Sequence, residues 1–256
     1  MKTDFIPAAT LLFLRDDPSF QVLMMERHKD VGFAGGALVF PGGRVEASDG
    51  DPEWSSHCCG KSDADRIAAI REGFEEVGML LARRRGESEL VGDDIVQALN
   101  SARAQVEADD TLFMQMIAGE GLELACDKLF DFAHWAPPEN VTHRRYDTRF
   151  FAAAAPRGQI AREDGHEATD ALWLSPTQCL DAVRRGERQM IFPTTRNVEL
   201  LGVSDTTAAV RAFARVRKIE RITPEIVERD GVAYLIIPDG FGYPVTEFTL
   251  KDSNRS

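Results

Sequence analysis

The chain has few cysteines and no excess of basic residues, and each shortage excludes a class of protein. Its four cysteines (Cys58, Cys59, Cys126 and Cys179) show no C-x-x-C spacing. This argues against a disulfide scaffold and for a reducing compartment. The 30 basic and 42 acidic side chains give a net charge of −12, so the chain is poorly suited to binding long nucleic acid.

Long apolar runs are also missing. No stretch approaches the roughly 20 consecutive apolar residues of a membrane-spanning helix, and the amino terminus lacks the apolar core of a signal peptide. We therefore expect a cytoplasmic protein without a membrane partner. Hydrophobic residues make up 43% and charged residues 28% of the 256 residues, which is ordinary for one large α/β domain or a domain with extensions.

The segment before Met79 carries three closely spaced carboxylates. Glu72, Glu75 and Glu76 are spaced i, i+3 and i+4, so they share one face of a helix. Apolar residues occupy roughly the opposite face: Ile67, Ile70, Phe74 and Val77. This pattern predicts an amphipathic helix from about Ala64 to Val77, with Gly78 allowing a bend or stop after it.

Three carboxylates at one point repel one another unless the face is solvated or a cation lies there. Mg²⁺ and Mn²⁺ prefer carboxylate, carbonyl and water oxygens. Arg71 lies one turn before Glu75 and can pair with it. A turn at Gly42 and Gly43 lets the backbone approach a ligand closely, and a carbonyl there is a further candidate ligand. The alternative is a solvated acidic helix face.

These two segments together resemble the signature of the Nudix hydrolases. The matching residues are Pro41-Gly42-Gly43 and Arg71-Glu72-x-x-Glu75-Glu76-x-Gly78-Met79. Gly43 fits the first position of the signature, and Asp49 fits the acidic position that is usually Glu in the family. Between Asp49 and Arg71 stand 21 residues rather than seven, an insertion of 14. Gly73 stands where a larger apolar residue is more common.

The long insertion, together with Leu-Val-Phe-Pro-Gly-Gly before it, resembles the Nudix hydrolase 19 type, a subgroup of coenzyme A diphosphatases. The resemblance continues at Arg145–Phe151 and near the carboxyl terminus, so it covers most of the chain. It implies an α/β fold, the Nudix α/β/α sandwich with a mixed β-sheet. It also implies Mg²⁺- or Mn²⁺-dependent hydrolysis of a small-molecule nucleoside diphosphate linked to another moiety, such as coenzyme A or acyl-coenzyme A.

Other substrates and one other class of function remain alternatives. The separate signature of coenzyme A Nudix enzymes is only partly present, because Gly32 stands at its expected Arg position and Arg27 lies five residues too early. ADP-ribose, a nucleotide sugar or a dinucleoside polyphosphate is therefore an alternative substrate. A non-catalytic Nudix-like binding or regulatory protein is the alternative function, although such proteins usually lose one or more box carboxylates.

The resemblance also assigns roles to individual residues. The metal ligands it implies are Gly43, Glu72, Glu75 and Glu76. The catalytic candidates are Arg71, Glu72, Glu75, Glu76 and Glu167. Either Glu72 or Glu167 would take the proton from the attacking water, with Glu163 less favoured than Glu167. The substrate-binding candidates are Arg27, Arg44, Arg145 and Arg149, for which a solvated strand end or surface ion pairing is the alternative.

We expect a single domain over residues 1–256 with three additions. They are an insertion in the box at about 50–63, a helical insertion at about 84–126 and a carboxyl-terminal extension at about 205–256. The box insertion contains Trp54 and His57-Cys58-Cys59, with no second ligand pair placed for zinc, so we expect a loop buttress or an interface.

Local patterns refine these additions. Ser62-x-x-Asp65 resembles a capping box for the carboxylate helix. Apolar periodicity predicts helices over Val96–Glu107 and Thr111–Ala118. The aromatic tail at residues 240–244 is expected either to fold over the substrate pocket or to make a homodimer contact.

Overall fold

The computed structural model describes residues 5–28, 36–138, 145–163 and 168–249. Its strands are β1 (Ile6–Arg15), β2 (Gln21–Arg27), β3 (Leu38–Val39), β4 (Gly42–Arg44), β5 (Ala82–Arg84), β6 (Leu122–Leu124), β7 (Phe130–Trp135), β8 (Tyr146–Ala154), β9 (Ala168–Leu174), β10 (Glu225–Arg229), β11 (Val232–Ile236) and β12 (Glu247–Thr249). Its α-helices are α1 (Ala64–Val77), α2 (Asp93–Leu99), α3 (Arg103–Ala108), α4 (Thr111–Gly119), α5 (Pro176–Arg184), α6 (Phe192–Leu201) and α7 (Thr207–Val216).

The central sheet is mixed. The strands β3, β2, β1, β8 and β7 lie in that order, with β4 also paired to β1 and β9 to β2. The β1–β8 pair is parallel, whereas the β1–β2, β1–β4 and β7–β8 pairs are antiparallel. Within the described residues, no helix combines the length and the apolar character needed to cross a bilayer.

Side chains alternate between the two faces of this sheet, as the pleat of a strand requires. On β1, Ala9, Leu11 and Phe13 enter one core, and Leu12 and Leu14 enter the other. Helix α1 covers the first core, and helices α5, α6 and α7 contribute to the second. The sheet therefore lies between two helical layers, which confirms the predicted α/β/α sandwich with a mixed sheet.

Helix α1 spans Ala64–Val77, as the periodicity predicts. The cap is not at Ser62: the Asp63 carboxylate accepts a hydrogen bond from the Arg66 backbone N–H. The predicted capping box is therefore wrong by one residue, because Asp63 is the residue that has the extended backbone of an N-cap. Gly78 ends the helix at a φ of 60°, a left-handed conformation that glycine adopts without a steric cost.

The box insertion packs as a buttress. It forms two short 3-10 helices at Ala47–Gly50 and Pro52–Ser56. The ring of Trp54 is buried, with its centroid 5.6 Å from that of Phe113 on α4. Its Nε1 donates to the Ser48 carbonyl at 2.9 Å. The extra residues of the box are thereby fixed against the helical insertion.

The helical insertion departs from the prediction in its first half. In place of one helix over Val96–Glu107, α2 ends at Leu99, a 3-10 turn covers Asn100–Ala102, and α3 follows. Asn and Ser favour such a break because their side chains compete for backbone hydrogen bonds. Helix α4 confirms the second predicted helix. The β5–β6 pair on either side of these helices was not predicted.

The carboxyl-terminal extension contains a hairpin, formed by β10 and β11. The aromatic tail that follows enters the second core, on the sheet face opposite α1. There Phe241 and Tyr243 are buried. Tyr243 accepts a hydrogen bond from Trp135 Nε1 and donates one to Asn197 Oδ1, each at 2.8 Å.

Gly73 allows α1 to approach the sheet. A Cβ placed there would lie 3.0 Å from Cε2 of Phe13 and 3.4 Å from Cδ2 of Leu11. The side chains of Phe13 and Leu11 on β1 therefore occupy the space that a larger residue at this signature position would need.

Replacing Gly73 by Leu is expected to lower the free energy of unfolding by about 1–3 kcal/mol, because overpacking separates α1 from the sheet. Gly119→Leu is the matched control: Gly119 is also helical, and nothing lies within 4 Å of a Cβ at that site. Chemical denaturation measures both variants. Adding Phe13→Leu should restore part of the loss, and a Gly73→Leu protein as stable as wild type would contradict this packing.

Candidate metal and substrate site

The three glutamates of α1 are buried. The exposed fractions are 9% for Glu72, 7% for Glu75 and 5% for Glu76. The alternative of a solvated acidic helix face is therefore wrong. A fourth carboxylate, Asp49, joins them and is 1% exposed.

Arg71 is the cation at the centre of this group, and it is 3% exposed. Its Nε and Nη2 donate to the two carboxylate oxygens of Asp49, each at 3.0 Å. Its Nη1 lies 3.0 Å from Glu72 Oε1 and 3.1 Å from both oxygens of Glu75. Nη2 also donates to the Arg44 carbonyl at 2.8 Å. The predicted Arg71–Glu75 pair is thus confirmed as part of a larger network.

Gly42 and Gly43 close the other side of the cluster. They do not form the predicted turn, because they belong to strand β4 and pair with β1. The Gly42 N–H donates to Glu76 Oε2 at 2.7 Å. A Cβ on Gly43 would lie 2.5 Å from Glu72 Oε1, and one on Gly42 would lie 2.5 Å from the Ala9 carbonyl oxygen. Only glycine lets β4 pair with β1 and touch the α1 carboxylates at the same time.

Burial dominates the electrostatics of these acids. It raises the pKa of Glu72 to about 8 and that of Glu75 to about 7, although Arg71 opposes both shifts. Burial likewise raises the pKa of Asp49. With all four acids ionised, the cluster with Arg71 carries a formal charge of −3 (four carboxylates, one guanidinium). A single cation leaves this much buried negative charge unbalanced.

Comparison with protein families shows which family the chain belongs to. Residues 56–200, more than half of it, match the family model described as the NUDT19 Nudix domain. The chain belongs to this Nudix family. Helix α1, with its three glutamates, lies within the matched region.

Several proteins resemble the chain over most of its Nudix region. A Xenopus laevis acyl-coenzyme A diphosphatase NUDT19 is 28% identical over 210 residues, covering 63% of this chain and 54% of that protein. The human protein of the same name is 24% identical over 283 residues, covering 92% and 74%. The chain spans only about half the length of the frog and chicken relatives.

A solved structure supports the fold. The crystal structure of a Nudix hydrolase from Alicyclobacillus acidocaldarius superposes with a TM-score of 0.68 at 26% identity. It covers 83% of this chain and 97% of the bacterial chain. The Nudix α/β/α sandwich is therefore shared by both proteins.

The cluster has the right chemistry for a hard divalent cation, because its donors are carboxylate oxygens held at net negative charge. In residues 5–28, 36–138, 145–163 and 168–249, no three His, Cys, Asp or Glu side chains converge in a ready-made metal shell. Glu72 and Glu75 instead face Arg71, and Glu76 faces Gly42. Coordination by all three would therefore require rotation of their side chains.

The four predicted basic contacts lie in different surroundings. The Arg44 side chain is exposed beside the box, and its carbonyl binds Arg71. Arg27 is half-buried at the end of β2. Arg145 is buried, with its guanidinium 3.9 Å from the centroid of the Phe5 ring. Arg149 is half-exposed, and its Nε lies 3.1 Å from Asp65 Oδ2 on α1.

The candidate base Glu167 lies outside the described residues. Glu163, the less favoured choice for that role, is exposed. Its backbone carbonyl oxygen lies 3.4 Å from Arg103 Nη1. Glu163 is the last described residue before Glu167, four positions further along the chain.

Sequence reasoning missed Arg103, which lies at the start of α3 and is 6% exposed. Its Nε and Nη2 donate to the Glu75 backbone carbonyl at 3.0 and 2.8 Å. The last carbonyls of a helix have no partner within the helix, and Arg103 supplies one from the helical insertion. No local pattern marks this role, because the two residues are 28 positions apart.

The burial of Glu72 predicts a pH effect in protein kept free of metal by a chelator. Its pKa is raised from 4.5 to about 8, so the folded state holds this proton more strongly than the unfolded state. Stability should therefore fall as pH rises through this range. Glu72→Gln removes the effect and should gain about 1–3 kcal/mol over wild type between about pH 5 and pH 8.

Urea unfolding across this pH range measures the difference. Exposed Glu120 provides the matched control, and Glu120→Gln should follow the wild-type curve. A Glu72→Gln curve parallel to that of wild type would contradict the buried, proton-binding state of Glu72.

Replacing Arg103 by Met should cost about 2–3 kcal/mol, because the Glu75 carbonyl loses both donors in a buried position. Hydrogen exchange should accelerate most in the last turn of α1. Arg185→Met is the control, since Arg185 forms an exposed ion pair with Glu187 that contributes little. A loss of stability with unchanged exchange in α1 would show that Arg103 does not support this turn.

Proposed function

We propose that the chain is a metal-dependent Nudix diphosphohydrolase acting on a nucleoside diphosphate linked to another moiety. The observation that carries this proposal is the buried carboxylate cluster on α1, which Arg71 only partly neutralises beside Gly42 and Gly43 of β4. Burial of several like charges is costly unless the site binds a cation or acts on a charged ligand. A purely structural helix would gain nothing from them.

Coenzyme A and acyl-coenzyme A are the substrates we propose first. The frog, chicken and human relatives are named acyl-coenzyme A diphosphatases, and the matched family model is the NUDT19 Nudix domain. ADP-ribose and nucleotide sugars are the alternative substrates. The non-catalytic alternative is disfavoured because Glu72, Glu75 and Glu76 are all present.

We propose that Glu72, Glu75 and Glu76, with the Gly43 carbonyl, hold Mg²⁺ or Mn²⁺. A divalent cation bound there neutralises charge on the bridging phosphates and lowers the pKa of bound water. Arg71 has a positioning role, because it holds Asp49, Glu72 and Glu75 from within the protein. Its buried guanidinium joins α1 to Asp49 and to the backbone of Arg44.

The remaining roles concern the proton and the substrate phosphates. Glu72 or Glu167 would accept the proton of the attacking water. Arginines contact phosphate well because the guanidinium forms two parallel hydrogen bonds. Of the predicted contacts, half-exposed Arg149 and exposed Arg44 are the side chains best placed to meet a ligand from solvent. We also propose that the Nudix unit, its two insertions and the carboxyl-terminal extension form one domain.

Replacing Glu75 by Gln should lower turnover by at least a factor of about 10² while leaving the fold intact, because it removes one anionic metal ligand. The assay measures hydrolysis of coenzyme A, acyl-coenzyme A, ADP-ribose, NADH and nucleotide sugars with Mg²⁺ or Mn²⁺. Glu120→Gln, an exposed change away from the cluster, is the control and should retain full activity.

The outcomes separate the alternatives. Cleavage of coenzyme A that is lost in Glu75→Gln supports both the site and the substrate. Cleavage of another diphosphate supports the site alone. A wild-type protein that binds nucleotide with either metal but hydrolyses none of these compounds would reject the hydrolase in favour of a binding protein.

A further inference from the structure

A polar cleft lies at the edge strand β7, outside the carboxylate cluster. Its volume is about 360 Å³. Its charged lining comes from three parts of the chain: Lys61 before α1, Asp131, His134 and Arg149 on β7 and β8, and Arg217 at the end of α7. The cleft thus joins the amino-terminal end of the Nudix helix to the carboxyl-terminal extension.

The charges of this cleft do not balance within the protein. Asp131 and Asp63 share Arg66, at 2.8 and 3.4 Å. Arg149 pairs with Asp65. His134 contacts Asp147 at 2.6 Å, and Asp147 also pairs with Arg221. Lys61 and Arg217 take part in none of these pairs, and Asp63 and Asp131 share one arginine. Five Lys and Arg side chains therefore face four Asp side chains, an excess of one positive charge in a chain whose net charge is −12.

Of Lys61 and Arg217, the arginine gives the stronger indication of a bound ligand. Its guanidinium packs 5.1 Å from the ring centroid of Phe132 and 5.9 Å from that of Phe213. Nη1 donates to the Phe241 carbonyl at 3.4 Å. Nε and Nη2 are buried and have no hydrogen-bond partner in the described ranges. Buried donors without a partner are costly, so the guanidinium at the cleft wall has unused hydrogen-bonding capacity that a rotation towards an anion in the cleft would use.

The cleft lies within reach of the carboxylate cluster. Gly43 and Arg149 both pair with Ala9, on opposite edges of β1, so two strand spacings, about 10 Å, separate them. Along α1, Asp65 contacts Arg149 and Glu72 lies seven residues further. Seven residues correspond to a rise of about 10 Å, on nearly the same helix face. Both measures place Arg149, on the α1 side of the cleft, beside the cluster. Arg217 lies on the far side of the cleft, against Phe132 of the second core.

We propose that this cleft binds a phosphate monoester on the nucleoside half of the substrate. Lys61 and Arg217 are the two cations of the cleft outside these ion pairs. They suit an anion such as a phosphate monoester, which carries a charge of about −1.5 to −2 at neutral pH. The 3′-phosphate of coenzyme A is such a group, and it is separated from the diphosphate by the ribose. This inference rests on the proposed hydrolase function and names the feature by which the protein selects its substrate.

The first experiment compares coenzyme A with dephospho-coenzyme A, which lacks only the 3′-phosphate. Wild type should have the lower KM for coenzyme A. Arg217→Met keeps the stem packed on Phe132, and it should raise that KM about ten-fold, as expected for the loss of a charge-assisted hydrogen bond. The KM for dephospho-coenzyme A should change less than two-fold. Lys61→Met should act in the same direction.

Arg211→Met is the matched control. Arg211 lies on the same helix, its guanidinium is 5.3 Å from the Phe130 ring centroid, and its Nη2 donates to the Lys128 carbonyl. It is not part of the cleft. Its substitution should leave the ratio of the two KM values unchanged. An Arg217→Met protein with the wild-type ratio would overturn the proposal.

Binding measured by calorimetry in the presence of a chelator tests the cleft without catalysis. Wild type should bind adenosine 3′,5′-bisphosphate about ten-fold more tightly than AMP, and Arg217→Met should remove this difference. If no diphosphate is hydrolysed but this difference is found, the cleft stands and the hydrolase proposal fails. Equal affinity for both nucleotides, or inorganic phosphate that binds as tightly as the bisphosphate, would overturn the cleft as a substrate contact.

Discussion

The buried guanidinium of Arg71 is the interaction on which the rest of the site depends. It donates to Asp49 with two of its nitrogens and reaches Glu72 and Glu75 with the third. Removing it would leave several carboxylates buried without a partner, which is far more costly than losing a surface ion pair. The same contact explains how the box tolerates its long insertion, because Asp49 and Arg71 stay joined across the residues between them.

The close approach of β4, β1 and α1 is the second constraint. Gly42 lets β4 lie against β1, and Gly43 lets it touch Glu72. Gly73 lets α1 settle on Phe13. The carboxylates are therefore held between a strand and a helix whose separation is set by the absence of side chains at these positions. This geometry requires a rigid first core, which the residues of β1, β2, β8 and α1 provide.

The additions to the Nudix unit take part in building the site. Trp54 of the box insertion packs against Phe113 of the helical insertion. Arg103 of the helical insertion then supports the end of α1. The carboxyl-terminal extension brings Arg217 to the cleft at β7. Each segment that extends the chain beyond a minimal Nudix fold thus ends in contact with α1 or with the surface beside it.

The sequence alone determined the bounds of α1 and the shared face of its three glutamates, because these follow from spacing over a few residues. It also led to the Nudix family and the sandwich fold. Only the tertiary structure decided that these acids are buried, that Arg103 supports their helix and that Arg217 faces a cleft. Burial and ion pairing depend on segments that are distant in sequence, and local periodicity contains no information on which of them meet.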